Sequence, residues 1–237
     1  MADNELLNGL GDEVIDPEYE IEDPVYTLIA LHKKSKPSEK VAVEIDKYND
    51  YKKSYIVDGV ALYNENLGLG IKIALEEGTK NFGQGPADIP ETDPIRKNYT
   101  NPTFIEQDGQ WRTNWLLENE HQSCEADDCA IKFCVEYNGG GYWLPCCGEL
   151  SYIQKSLDEV NEAITLVGGT TISGELYRTS TKFSNDYAWC LNMEDGEFAF
   201  WKSKSTMIKT RPITTLNGYE VIIEPKPEPE PVNNEEE

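Results

Sequence analysis

The sequence predicts a mixed α+β fold in which two helices pack on an antiparallel sheet, with a small β-rich region ahead of them. One observation behind this is a helical stripe: Leu150, Ile153, Leu157, Val160, Ile164 and Val167 recur at steps of 3, 4, 3, 4 and 3, and Gly168-Gly169 stops the run. Such a stripe belongs to a core and not to a cofactor site. Another is the series of strand-like runs that follows, 176–180, 187–193, 197–201 and 206–213, two of them joined by the hairpin turn Asp195-Gly196. The last is period-two alternation, with Leu69, Ile71, Ile73 and Leu75 separated by Gly70, Lys72 and Ala74.

Residues 1–23 hold nine acids, no base and no apolar period, and read as an acidic flexible arm, either a solvated tail or a segment ordered by a partner. Residues 24–54 read as a β-hairpin docking region: Val25-Tyr26-Thr27-Leu28-Ile29-Ala30-Leu31 and Val41-Ala42-Val43-Glu44-Ile45 flank a polar break that contains Pro37. Further strands are expected at 55–57 and 60–63 around Asp58-Gly59, and at 69–75. Residues 78–112, rich in Gly, Pro, Asn and Asp, read as a long surface excursion. Asp127-Asp128 opens the first helix, whose Ala130, Ile131, Cys134, Val135 and Tyr137 follow a 3.6-residue period as far as Asn138-Gly139-Gly140-Gly141. The second helix carries the stripe. In the strand after 187, Tyr187, Trp189, Leu191 and Met193 share one face, and Ala188, Cys190 and Asn192 the other. Residues 224–237, with six Glu and alternating Pro, read as a disordered extended tail.

The net charge of −23 falls mostly at the two ends, −9 from 1–23 and −5 from 224–237. The remainder is still acidic and has no basic stripe, which argues against nucleic-acid binding. The start Met1-Ala2-Asp3-Asn4-Glu5 lacks a basic and an apolar signal region, and no window approaches the ~18 apolar residues of a membrane span. Neither a signal peptide nor membrane insertion is expected. Cys124, Cys129, Cys134, Cys146, Cys147 and Cys190 lack the short paired spacing of zinc sites and are expected as reduced, buried thiols.

Trp143-Leu144-Pro145, Gly148-Glu149-Leu150, the helix to Gly168-Gly169, Tyr177-Arg178-Thr179-Ser180-Thr181, Tyr187-Ala188-Trp189 with Asp195-Gly196, and Arg211-Pro212 occur in a fixed order. Together they resemble the C-type-lectin-like domains of bacterial and phage surface proteins, a fold shared by the variable proteins of diversity-generating retroelements. Gly59-Val60-Ala61 with Ile71-Lys72-Ile73-Ala74 is similar to the strand pair that precedes the domain in gut-phage members. The resemblance covers about 55–215, and the whole domain is set at 55–223. Cys146-Cys147 and Arg178 depart from its usual pattern. It implies a compact scaffold, often trimeric or attached to a larger particle, with binding loops on one side. Sugar-binding members of the fold hold calcium through Glu-Pro-Asn or Gln-Pro-Asp and Trp-Asn-Asp elements, and this chain has neither.

The expected ligand-binding face consists of Tyr177, Arg178, Lys182, Phe183, Asn185, Asp186, Tyr187, Glu197, Phe198, Phe200, Trp201, Lys202 and Lys204, aromatic anchors mixed with adaptable polar groups. Strand alternation must turn some of these inward. Asp186, Asn192, Glu194 and Asp195 are oxygen donors, but acids in a hairpin turn are ordinarily turn formers. His32 and His121 lie outside the patterned region, and no nucleophile-elbow, zinc-protease or phosphate-loop motif occurs. The expectation is therefore a non-enzymatic protein with no metal and no cofactor. It is expected in a phage or prophage virion, assembled in the host cytoplasm as a homo-oligomer and recognising a host-surface glycan or protein or other virion proteins. A bacterial cell-surface adhesin and a purely structural capsid- or tail-stabilising subunit are the alternatives.

Overall fold

The computed structural model describes residues 25–82, 108–119, 127–182, 187–203 and 205–224. The expected arm at 1–23 and nearly all of the expected tail lie outside these residues. The described chain is mixed α+β, with two sheets and five α-helices.

The first sheet contains β1 (Val25–Lys33), β2 (Lys36–Glu44), β3 (Tyr55–Asn64), β4 (Leu69–Ile73), β10 (Ile213–Thr215) and β11 (Glu220–Ile222), in the order β10-β4-β3-β1-β2-β11. Alternation sorts its side chains. Ile29, Leu31, Val41, Val43, Val60, Leu62, Ile71 and Ile73 face the main core, while Leu28, Ala30, Ala42 and Ala61 form a second cluster on the other face with Tyr26 and Leu216. Four residues join β10 to β11, so the ends of that connection lie at most about 18 Å apart. Six strands laid flat would separate these edges by about 24 Å, so the sheet curls. The alanines at 30, 42 and 61 leave room on the inner side of the curl.

This arrangement corrects the expected boundary at 54/55. β1 is hydrogen-bonded to β3 along its whole length, with β2 on its other side, so the hairpin is the middle of the sheet and not an appended docking region. The polar break is also shorter than expected. Residues 34 and 35 alone make the turn, and Pro37 is accommodated in β2 outside the 41–43 stretch that pairs with β11.

The second sheet contains β5 (Gly78–Lys80), β6 (Leu176–Lys182), β7 (Tyr187–Asn192), β8 (Phe198–Ser203) and β9 (Ile208–Thr210), in the order β5-β9-β6-β7-β8. The single strand expected at 206–213 is two strands in different sheets, separated by the buried Arg211 and Pro212. Both faces of β7 are covered: Leu191 and Met193 join the main core, and Ala188 joins a cluster with Phe82, Leu116, Ile131 and Leu144. The expected sorting of bulk to one side thus meets a second apolar layer.

The helices are α1 (Tyr48–Tyr51), α2 (Asp108–Asn119), α3 (Ala130–Glu136), α4 (Cys147–Lys155) and α5 (Leu157–Val167). The stripe expected as one helix breaks at Ser156, whose φ of −112° and ψ of 24° lie off the helical region. The break has a packing reason: α4 lies on β6 and β7 of the second sheet, and α5 on β1 and β3 of the first. Its stripe still supplies Leu150, Ile153, Val160 and Ile164 to one core. Gly168 ends α5 at φ 79°, with the N–H groups of Gly168 and Gly169 bonded to the carbonyls of Thr165 and Ile164. α2 occupies part of the expected surface excursion and buries Arg112, Thr113 and Leu116.

Candidate functional site

The motifs that carry the resemblance hold one another. Glu149, in the first turn of α4, accepts hydrogen bonds from Trp143 Nε1 at 3.1 Å and from Cys146 N at 2.8 Å. The second closes the helix N-terminus, because a carboxylate three residues in reaches back to an N–H that no helical carbonyl can take. Ser180 N donates to Pro145 O, Cys147 N donates to Thr181 Oγ1, and Trp143 and Ile213 exchange both backbone bonds. These contacts fix β6 against α4 and β10.

Beside that frame a groove of about 500 Å³ opens between 174–176 and 206–209, with Thr79 and Asn192 completing its lining. Its origin is in the strand pairing. β6 and β9 run parallel and meet through one residue pair, Tyr177 with Lys209, and residues 174–176 and 206–208 form the walls on one side of it. The lining mixes Leu176, Ile208 and the 49% exposed Met207 with Glu175, Asn192, Lys209 and two threonines. Apolar area with a few polar groups suits recognition of a ligand.

An ion cluster supports the floor. Glu77, 7% exposed, accepts hydrogen bonds from Tyr177 OH, from Lys209 Nζ at 2.5 Å and from Arg211 Nη2 at 2.9 Å. Arg211 also donates to the carbonyls of Ala74 and Thr170. The Glu77 hydrogen bond pushes the Lys209 amine up from its usual pKa, against burial, and burial together with the same carboxylate raises the Tyr177 phenol.

Two expected contact residues are therefore interior groups. Tyr177 is fully buried with its hydroxyl on Glu77. Arg178 is fully buried, and its Nη2 donates to Thr206 O at 2.6 Å, closing the molecule behind the groove. Burial lowers its pKa. Strand alternation accounts for both, since a sheet covered on two sides leaves neither neighbour at the surface. Glu197 is exposed, and Phe198 is half-buried edge-on to Trp189 at 6.1 Å. Lys182, Tyr187, Phe200, Trp201 and Lys202 stand on β6, β7 and β8, with Tyr187 opposite Ser203 and Lys202 opposite Ala188. Phe183, Asn185, Asp186 and Lys204 lie outside the described residues.

The groove residues Thr79, Glu175, Asn192, Met207 and Lys209 were not expected as a site. Thr79 reaches it through the β5–β9 pairing, a long-range contact with no local signature. Asn192 and Asp195 serve the turn: Asn192 Nδ2 donates to Asp195 Oδ2, and Asp195 Oδ1 accepts from Glu197 N. Among the described residues no group of three or more His, Cys, Asp or Glu is placed to hold a metal ion. Cys129, Cys134, Cys146, Cys147 and Cys190 are buried, and burial raises the pKa of Cys134 and Cys147. No helix among the described residues is long and apolar enough to cross a membrane.

A second polar cluster lies on the curled sheet. β3 carries an extra residue opposite β1 between Gly59 and Val57, and this bulge holds Asp58 with its carboxylate 2.6 Å from His32 Nδ1. The same carboxylate accepts the Tyr219 hydroxyl at 2.7 Å, and Lys72 Nζ donates to Tyr219 OH at 3.0 Å. Lys72 also sits over the Tyr142 and Tyr219 rings, and burial lowers its pKa. The cluster ties the β10–β11 connection to β1, β3 and β4.

No family model matches the sequence, and no curated protein matches it. Among solved structures, a fimbrial protein from Bacteroides ovatus is similar over 61% of this chain at 14% identity, with a TM-score of 0.44. The chain spans 35% of that protein's length.

Proposed function

We propose that this protein is a non-enzymatic recognition subunit of a phage or prophage particle, whose C-type-lectin-like fold holds a host-surface glycan or protein. The observation that carries the recognition role is the groove between 174–176 and 206–209 on a braced floor. The groups beneath it that could do chemistry are already engaged: Glu77 with three donors, Tyr177 and Arg211 with Glu77. The particle context rests on the sequence motifs. Weak single contacts would gain from repetition on a particle, since linked sites convert later encounters into intramolecular ones.

The test is binding of purified protein to host-envelope preparations and to glycan and peptide arrays. Met207→Trp, which fills the groove from an exposed position, is expected to weaken attachment by at least about tenfold, or 1.4 kcal/mol, with melting temperature nearly unchanged. Attachment equal to wild type in this variant would remove the groove from the reading. The finding of no bound ligand class with wild type would favour a purely structural subunit.

A further inference from the structure

The first sheet is charged oppositely at its two ends. At one end the β1–β2 turn and the turn after α1 come together: Lys34 N donates to Ser54 O at 2.9 Å, and Lys34 Nζ to Lys53 O at 2.8 Å. Residues 33–40 and 48–54 bring six lysines to this end against two acids, Glu39 and Asp50. Glu39 occupies Lys33 and Lys36, whereas Lys34, Lys36, Lys52 and Lys53 are exposed. Ile56, on β3 opposite His32, is 47% exposed beside them. An open lysine cluster with an apolar neighbour is out of character for a chain of net charge −23.

The other end is where the described chain leaves the fold. β11 runs parallel to β2, away from the lysines, and Glu224 N donates to Glu44 Oε2 at the end of β2. A cleft of about 580 Å³ at this end is lined by Glu44, Asp46, Glu159 and Glu162, with Lys155. The nine residues of β1 put about 30 Å between the two ends. From Glu224 the sequence continues with Pro225, Pro227, Pro229 and Pro231 and with Glu228, Glu230, Glu235, Glu236 and Glu237 against one lysine. The segment carries five glutamates against Lys226, a charge opposite to that of the lysine end.

We propose that residues 225–237 of one molecule dock on the lysine-bearing end of a second copy, giving a head-to-tail contact between identical chains. Charge complementarity argues for the occupant: the surface is basic, the segment is acidic, and Glu224, after which it begins, stands at the opposite end of the sheet from those lysines. The contact is heterologous, because it joins two different surfaces, and it repeats into rings or filaments unless a geometric closure stops it. Its attraction is between exposed charges, so it weakens steeply once the Debye length falls below about 10 Å near 0.1 M salt.

Two variants of the full chain test it: a deletion of residues 225–237, and the triple reversal Lys34→Glu, Lys36→Glu, Lys53→Glu, all at exposed positions. Sedimentation velocity in low salt is expected to show wild type self-associating, with association lost by 0.5 M NaCl, and each variant monomeric. An equimolar mixture of the two variants is expected to give a one-to-one dimer, because one supplies the lysines and the other the segment. A synthetic 225–237 peptide should bind the deletion variant at least tenfold more tightly than a double variant carrying the reversal as well. Absence of wild-type association at low salt, unchanged association after the deletion, or a mixture that stays monomeric would each overturn the proposal. Binding of vesicles or RNA by the lysine end with no peptide binding would overturn it also.

Discussion

At the residue scale, Glu77 decides most. One carboxylate joins the second sheet, through Tyr177 and Lys209, to the joint at Arg211, and it supplies a side-chain acceptor for that fully buried guanidinium. Glu77→Ala removes the partner and leaves the charge inside, so a loss of about 3–5 kcal/mol is expected in urea unfolding; a change under 1 kcal/mol would show that the carbonyls of Ala74 and Thr170 suffice. Burial also raises the phenol pKa values of Tyr137, Tyr142, Tyr177 and Tyr219 above 10.0. Folded phenols thus keep protons that the unfolded chain releases near pH 10, and the stability they contribute, complete below that pH, is lost as pH rises through the higher folded values. Lys72, lowered by burial, opposes this as a single group, because its penalty eases as pH approaches 10.5. Unfolding midpoints are expected to fall between pH 9.5 and about 11 at up to ~1.4 kcal/mol per pH unit per phenol, and Tyr142→Phe, whose hydroxyl bond to Asp58 O is a long 3.5 Å, should make the fall shallower. A slope identical to wild type would contradict the assignment. The sequence marked Tyr177 and Arg178 as special without showing which way they face, since alternation fixes relative sides and leaves open whether one or both are covered.

At the element scale, the strongly periodic segments were legible and the ones made by tertiary contact were not. The stripe from Leu150 to Ile164 reaches the core as its period requires, yet nothing local announced the break at Ser156, which exists because two sheets pull the helix in two directions. α2 was hidden for a similar reason: its sequence, Asp-Gly-Gln-Trp-Arg-Thr-Asn-Trp-Leu-Leu-Glu-Asn, has little apolar period, and it is held by Thr113 bonding the backbone of Leu144 and by a close approach at Gly109. A Cβ on Gly109 would stand 2.1 Å from Glu149 Oε2 and 2.9 Å from Cys146 N. Gly109→Ala is therefore expected to displace α2 from α4, raising amide exchange across 108–119 by tenfold or more while β1 and β3 keep their protection. Equal exchange in both proteins would mean that α2 is docked by other contacts.

At the scale of the whole molecule, the mixed α+β class was legible, and the partition into units was not. A polar turn and a lysine-rich segment set the β1–β2 hairpin apart in sequence, but β1 pairs with β3 over nine residue pairs. A chain of residues 55–224 is accordingly expected to lack a cooperative unfolding transition and to expose the unpaired edge of β3, with Val60 and Leu62 on one face and Ala61 on the other; a two-state transition near that of the full chain would show residues 55–224 to be autonomous. The groove was not legible for the same reason as the hairpin, since it depends on which strands the fold sets side by side.

Arg211 and Pro212 are all that lies between β9 in one sheet and β10 in the other. Proline holds its own φ, and the guanidinium is anchored to two carbonyls and a carboxylate, so the passage has no slack. The anchored joint pins β9 just beyond Lys209, so the groove wall at 206–209 is held at that end, and an occupant would meet a cradle already in place. Capture should then proceed in a single kinetic phase, linear in ligand concentration, with little ordering entropy lost by the protein.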